Sequence, residues 1–413
     1  MGDDHNDVVP DSSLLKHLFG NSQPSSVSII LQNWDKCIFS ATFASPLKNG
    51  QHACVVRLEA LDDNDHPPDF ALVAAAQEIA ATCIPDLVPA TLQTGTAAND
   101  GARVFQYAVL EFVEGVTLEQ AWDHMSPGNR ASVVAAVVEA VSKLQAARLG
   151  DASIQIILRR ALGKRGEGLL DKALMGGPLT GFLDDGPSLL AAIEDKWKLQ
   201  ASFHTTQPVS EPDEGLVVTS AFEDLGSVTV TKADMDKWPE EAVFCHNDLT
   251  PRNLMLRPRE HDNGHGGPTT TYELAAVIDW ELAGFYPPSY QLVVQDAYLG
   301  TGNLRPDFYL LLKQGLKHMT PPSPSQLSLV RAAELIFESR QRRLLKGGNI
   351  PAQIRARFME MLRLSRAEDP YLGWRPEPGG DELPEFSRED GQKLEDEVVA
   401  EVVARRQAKA AKS

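Results

Sequence analysis

Two short apolar runs, Leu254–Leu256 and Tyr272–Ile278, flank the segment RPREHDNGHGGPTT. That segment is rich in glycine and proline and reads as a loop, so the two runs read as the arms of an antiparallel hairpin. In such a pair the start of the first strand lies beside the end of the second. Asn253 immediately precedes the first arm and Asp279 immediately follows the second. Asp248 lies a few residues ahead of Asn253, in the same loop. The pairing therefore predicts that two carboxylates and an amide oxygen meet at one hairpin mouth, although they are far apart in the chain.

That set of oxygens suits Mg²⁺, which takes few protein ligands and completes its shell with water and substrate phosphates. Phosphoryl transfer uses a metal to neutralise phosphate charge and a separate carboxylate to orient the attacking hydroxyl. His246, Asp248 and Asn253 also carry the H-x-D-x-x-x-x-N spacing of a kinase catalytic loop. The stretch His261–His265 (HDNGH) reads as a hairpin loop, because its glycine surroundings do not build a rigid ligand set. Asp62–Asp65 lacks the order of a calcium loop and reads as an acidic turn.

Composition narrows the function class. The 413 residues include 39 Lys and Arg against 57 Asp and Glu, a net charge of −18. A surface this acidic repels nucleic acid and anionic lipid, so neither is expected as a partner. The four cysteines form no C-x-x-C pair, which fits a reducing compartment better than a disulfide framework. Residues 1–26 show no basic and apolar signal pattern and read as a flexible tail. No run reaches the roughly 18 apolar residues of a membrane span. A cytoplasmic protein is expected.

The chain divides at a change of composition. Residues 27–113 are rich in β-type runs (Val27–Leu31, Cys37–Phe43, Ala53–Leu58 and Arg103–Val113), with an alanine-rich helix over Ala71–Cys83. From residue 114 to 413 the material is mostly helical. Ser126-Pro127 opens the clearest helix, with Ser at the N-cap and Pro at the first helical position. Helices are also expected over Leu327–Leu345, Ile350–Leu364 and Ser387–Ala410. In the last of these, Val398, Val399, Val402 and Val403 fall on one side. The expected fold is α+β and two-lobed: a small β-rich lobe over 27–113 and a larger helical lobe over 114–413. The larger lobe carries the catalytic segment 243–286.

The segments Val243–Leu256 (VFCHNDLTPRNLML) and Ala275–Tyr286 (AAVIDWELAGFY) resemble the aminoglycoside phosphotransferase/choline kinase family, which has the protein-kinase-like fold. HNDLTPRN is similar to that family's catalytic loop, and IDWE to its equivalent of D-F-G. AVLEFVEGVTLEQAW (108–122) is similar to its hinge, and AGFYPP (283–288) to fungal members. The resemblance implies an ATP-dependent kinase of small molecules. Asp248 would be the catalytic base, with His246 bracing the loop, and Asn253 and Asp279 would hold Mg²⁺. Glu111 and Val113 would flank adenine, together with Phe112.

The same resemblance places Arg57, in ACVVRLEA, where the family has a phosphate-binding lysine. Arg keeps the charge with a different geometry, and an ordinary strand-edge arginine remains the alternative. Glu78 is the only acidic residue of the Ala71–Cys83 helix and would be the partner of Arg57. The phosphate-covering loop would fall within Asn33–Ser40, which has no glycine, with Ser40 among the nucleotide contacts. Glu281 would be structural or face the substrate.

Two readings follow. The first is a phosphotransferase acting on a hydroxyl of a small molecule. The surplus of acidic residues makes a cationic or amine-bearing acceptor the version to test first. The second, resting on Arg57 and the glycine-free loop, is a weak or inactive pseudokinase that binds nucleotide or acts as a scaffold. A protein Ser/Thr kinase fits poorly, since the loop is H-N-D and neither D-F-G nor A-P-E is present.

Overall fold

The computed structural model describes residues 7–47, 49–61, 69–166, 168–210, 214–262, 268–377 and 386–410. The expected acidic turn at Asp62–Asp65 and the core of the HDNGH loop lie outside these residues. The N-terminal lobe is one antiparallel sheet of β1 (Ser26–Gln32), β2 (Lys36–Thr42), β3 (Ala53–Ala60), β4 (Thr91–Ala98) and β5 (Val104–Glu111), in the order β1-β2-β3-β5-β4.

The period of two in a strand sorts its side chains onto two faces. Cys37, Phe39 and Ala41 of β2, Val56 and Leu58 of β3, and Phe105, Tyr107 and Val109 of β5 fill one face and are buried. The opposite face carries Ser40, Arg57 and Glu59. In the β2–β3 register Arg57 stands opposite Ile38, and Ser40 opposite Val55.

The apolar face needs a cover, and the chain start supplies it. Residues 7–26 are not an unstructured tail: α1 (Ser12–Phe19) lies there. Asp11 caps it by accepting from the Leu14 N–H at 2.9 Å. Leu14 and Leu18, one turn apart, are buried against the sheet core. The Asp11 and Asp100 side chains tie this helix to the turn after β4, with Ser13 Oγ donating to Asp100 at 2.5 Å.

Helix α2 (Phe70–Cys83) buries Ala75, Ala76, Ile79 and Ala80 in the main core. After β5 the chain crosses to the helical lobe at Gly115. Its φ is 143°, and a Cβ there would stand 2.2 Å from the Leu256 carbonyl oxygen. Only glycine fits this approach. The crossing lets Val116 and Thr117 pair with Leu256 and Met255 of the hairpin.

In the second lobe, the helix Pro127–Leu144 is capped by Ser126. The helices Ala152–Leu162 and Gly186–Lys196 follow. A three-stranded meander (His204–Val209, Gly215–Ser220, Ser227–Thr231) comes next and was not expected from the sequence. The helices Pro288–Tyr298, Pro306–Met319, Pro324–Lys346 and Ile350–Met361 build the rest.

A buried charge network ties these last helices together. Asp296, 1% exposed, accepts from Lys313 Nζ at 2.8 Å, Arg366 Nη1 at 3.0 Å and Tyr309 Oη at 2.6 Å. Arg366 also pairs with Glu334, and with Glu338 at 3.0 Å, while Arg355 reaches Glu338 at 2.8 Å. The C-terminal helix (Arg388–Ala410) buries Leu394, Val398 and Val402, spaced one turn apart. Val399 and Val403, expected beside them, are exposed. Four-residue spacing sets the packed stripe, and the neighbouring valines fall off it.

Leu14→Ala removes a side chain fully buried under the sheet. It is expected to cost about 2–4 kcal/mol of stability, read as a lower urea midpoint. An unchanged midpoint would mean that α1 does not contribute to the lobe.

Candidate active site

The hairpin expected from the sequence forms as Leu254–Asp262 paired antiparallel with Pro268–Val277, with Leu254 opposite Val277. Its mouth brings distant residues together: the Ile278 N–H donates to the Asn253 carbonyl at 2.9 Å. The preceding loop is knit by its own polar groups. Asn253 Nδ2 donates to the Asp248 carbonyl at 3.0 Å. His246 Nδ1 accepts from the Asp248 N–H at 3.1 Å, so Nε2 carries the proton and donates to the Ile278 carbonyl at 3.0 Å. Burial pushes the His246 imidazole down to about 4, and its edge meets the Trp280 ring at 4.5 Å between centroids. A neutral histidine thus joins the loop to the strand end that precedes Asp279.

Two non-glycine residues here hold left-handed backbone, Asn247 (φ 62°) and Asp279 (φ 65°). Asn and Asp tolerate this region better than other side chains. At Asn247 the side chain also donates to the Leu282 carbonyl at 3.0 Å.

Asp248 is the most exceptional group. It is 2% exposed, and its Oδ1 is buried with no hydrogen-bond partner among the described residues. Its Oδ2 lies 3.5 Å from Arg252 Nη2. Burial pushes its pKa up, and Arg252, with the neighbouring Asn253 and Thr250 side chains, opposes that shift. A buried carboxylate with an unused oxygen costs stability unless a ligand uses it.

Arg57 reaches this mouth from β3. Its guanidinium donates to Asp279 Oδ1 at 3.0 Å, to Glu59 Oε1 at 2.8 Å through Nε, and to Glu281. Burial works against its charge, but Glu281, Asp279 and Glu59 together outweigh burial and hold it ionised. The Phe70 ring packs 5.4 Å from the guanidinium carbon.

Glu78 is not the partner of Arg57. It is half-exposed and pairs with Arg160, because the apolar stripe of α2 turns Glu78 to the other side of the helix. Arg57 instead takes Glu59, two residues along its own strand and therefore on the same face, and Glu281 beyond the hairpin. Glu59 was legible from the strand period. The role of Glu281 depended on how the two lobes meet.

The segment Asn33–Ser40 is a loop only at Asn33–Asp35, since Lys36–Thr42 is strand. In that turn the N–H groups of Asp35 and Lys36 donate to Asn33 Oδ1 at 3.2 and 2.7 Å. Ser40 lies on the cleft face of β2. The Glu111 carboxylate is engaged by Gln51 Nε2 at 2.6 Å and the Ala90 N–H at 3.0 Å. Glu111, Phe112 and Val113 border a cavity of about 820 Å³ together with Arg257 and Ala276 of the hairpin.

Lys196, at the end of the helix Gly186–Lys196, was not picked out from the sequence. Burial pulls its ammonium down to about 8, while Asp248 and Glu281 pull it back up.

The donor set fits a hard cation of the Mg²⁺ type. Asn253 spends its amide N–H on the loop, which leaves Oδ1 for a metal, and the Asp279 carboxylate is partly accessible. Among the described residues no group of three or more His, Cys, Asp or Glu could by itself hold a metal ion.

Residues 54–324 match the phosphotransferase enzyme family APH, and the chain belongs to that family. The fold is the two-lobed, α+β protein-kinase-like one. No curated protein matches the sequence. Among solved structures, the gentamicin–APH(2")-IIa complex is similar at 12% identity, over 86% of this chain and 96% of that one, with a TM-score of 0.41. The ADP-bound aminoglycoside phosphotransferase APH(2'')-Ib is similar at 12% identity, over 84% and 99%, with a TM-score of 0.37. No described helix is long and apolar enough to cross a membrane.

The electrostatics of Asp248 give a signed expectation. Its folded pKa is raised, so ionising it costs stability once the pH rises through that folded value. Asp248→Asn is therefore expected to raise the urea midpoint at pH 7. The gain should shrink as the pH falls toward the ordinary carboxylate value of about 4 and vanish below it, where both states are protonated. A midpoint that falls at pH 7 would contradict the burial argument.

Proposed function

We propose that this chain transfers the γ-phosphoryl group of ATP to a hydroxyl of a small molecule. The observation that carries the reading is the buried Asp248 Oδ1, left without a partner at a hairpin mouth that also holds Asn253 and Asp279. Asp248 accepts the hydrogen bond of the acceptor hydroxyl and orients its oxygen toward the γ-phosphorus. As the new P–O bond forms and the bond to ADP breaks, the hydroxyl proton passes to Asp248 and then to solvent.

Asn253 and Asp279 would hold Mg²⁺, which supplies neutralisation of the phosphate charge. Arg57 keeps a fixed positive charge beside Asp279 and offers the phosphates the donors that its carboxylate partners release. His246 holds the loop geometry and stays neutral. Glu111–Val113 border the cavity that would take the base of the nucleotide.

A second reading has its own observation. The Asn33–Asp35 turn spends two N–H groups on the Asn33 side chain, and three carboxylates occupy Arg57. Both features weaken phosphate binding and favour a pseudokinase.

Two measurements separate the readings. A thermal-shift titration with Mg-ATP is expected to raise the melting temperature, since a ligand bound to the native state stabilises it. Asp248→Ala is expected to cut turnover by about 10²–10⁴-fold while that shift persists. Asp279→Asn is expected to remove the Mg²⁺ dependence of the shift. Full turnover in Asp248→Ala would refute the base assignment. A shift with Mg-ATP but no ADP release on any hydroxyl compound would favour the pseudokinase.

A further inference from the structure

The helical lobe carries a half-open cavity of about 390 Å³ between the end of the helix Gly186–Lys196, the helix Pro288–Tyr298 and the helix Pro324–Lys346. That volume is within the range of small-molecule sites. The cavity adjoins the catalytic loop. Tyr298 borders it, and a Cβ on Gly302 would stand 3.1 Å from the Tyr298 ring and 3.8 Å from Thr250 Cγ2 of the loop. Lys196, which also borders it, lies in the field of Asp248 and Glu281.

Its charge is opposite to that of the whole chain. Lys196 and Arg340 both line it, and no Asp or Glu does so among the described residues. Neither cation makes an ion pair or a hydrogen bond with a described residue. Arg340 Nε is buried and has no hydrogen-bond partner among the described residues. Burial alone pulls the Arg340 guanidinium down, with no carboxylate acting on it. Lys196 has the Tyr290 ring at 6.0 Å and the field of Asp248 and Glu281 behind it, but the half-buried Arg340 has no carboxylate acting on it, a cost that a bound anion would remove. The planar guanidinium suits a carboxylate or phosphate held through two hydrogen bonds. Trp197 and Phe337, with ring centroids 5.3 Å apart, supply an apolar wall beside the two cations.

We propose that the hydroxyl acceptor is an anion, a small carboxylate or phosphate monoester whose charged group sits on Arg340 and Lys196 while its hydroxyl reaches Asp248. This rests on the phosphotransferase reading above and names its substrate class. The acidic composition pointed the other way, toward a cationic acceptor, but net charge describes the whole surface and this cavity has its own sign.

The test uses the full chain with Mg-ATP and matched sets of hydroxyl compounds. Each set has a carboxylate, a phosphate monoester, a neutral amide and an amine on one carbon skeleton. ADP release is followed in each case. Anion binding is measured separately, by calorimetry on protein saturated with Mg²⁺ and a non-hydrolysable ATP analogue.

An anionic member is expected to exceed its neutral and amine counterparts by about 30-fold or more in kcat/KM. Which arm wins distinguishes carboxylate from phosphate. Arg340→Met is expected to raise KM for that anion about tenfold or more with a small change in kcat, and to leave the KM of the neutral counterpart in place. A structural defect would move both. Lys196→Met serves as the second variant if Arg340→Met does not fold.

Turnover of amines or neutral compounds at equal or higher efficiency would overturn the anionic acceptor and leave phosphotransfer standing. Anion binding that is lost in Arg340→Met, without turnover of any compound, would sustain the site and sink phosphotransfer. The absence of both turnover and anion binding would overturn the proposal.

Discussion

The contact on which this site depends is the guanidinium of Arg57 between the two lobes. It joins β3 to Asp279 and Glu281, more than two hundred residues further along the chain, and it is anchored by Glu59 on its own strand. Without a cation there, three carboxylates would face one another in a partly buried cleft, and Asp248 would add a fourth to the field. Like charges at that spacing raise one another's pKa values and weaken the fold. Arg57 resolves the conflict and also fixes how the sheet stands over the hairpin mouth. A lysine could carry the charge, but it has no fork with which to address three carboxylates at once.

That arrangement explains why the hairpin is built so tightly. His246, Asn253 and Asn247 all spend side-chain groups on backbone partners within the loop or the strand end beside it. Among the described residues Asp248 Oδ1 is left buried without a partner, as are Asn247 Oδ1 and Thr250 Oγ1, while the Asp279 carboxylate is shared with Arg57. Stability invested in the loop's internal bonds holds Asp248 in an unfavourable buried state. Active sites commonly carry such a local cost.

Much of the site was legible because its decisive relations are local. The offset from Asp248 to Asn253, and the pairing of Leu254 with Val277, follow from strand period and turn chemistry. The rest depended on how distant elements pack. The first residues are polar overall, so they read as a tail. Only the apolar outer face of the sheet makes sense of Leu14 and Leu18. Glu78 is the one acid on its helix, but the alanine stripe of α2 decides which way that helix faces. Val399 and Val403 share a helix with buried valines and still point outward. Lys196 and Arg340 carry no motif, and their meaning comes from a cavity assembled from separate helices. The net charge of −18 bears on solubility and long-range attraction, and it did not foretell the sign of that cavity.

If the Arg57 contact organises the nucleotide site, then Arg57 and Asp279 must act as one unit on Mg-ATP. A double-mutant cycle measures this, using calorimetric Mg-ATP affinities for the native chain, Arg57→Met, Asp279→Asn and the double variant. The account predicts strong non-additivity: the double variant loses about tenfold less affinity than the two single losses combined. Losses that simply add would contradict the coupling and leave Arg57 as an ordinary arginine on a strand edge.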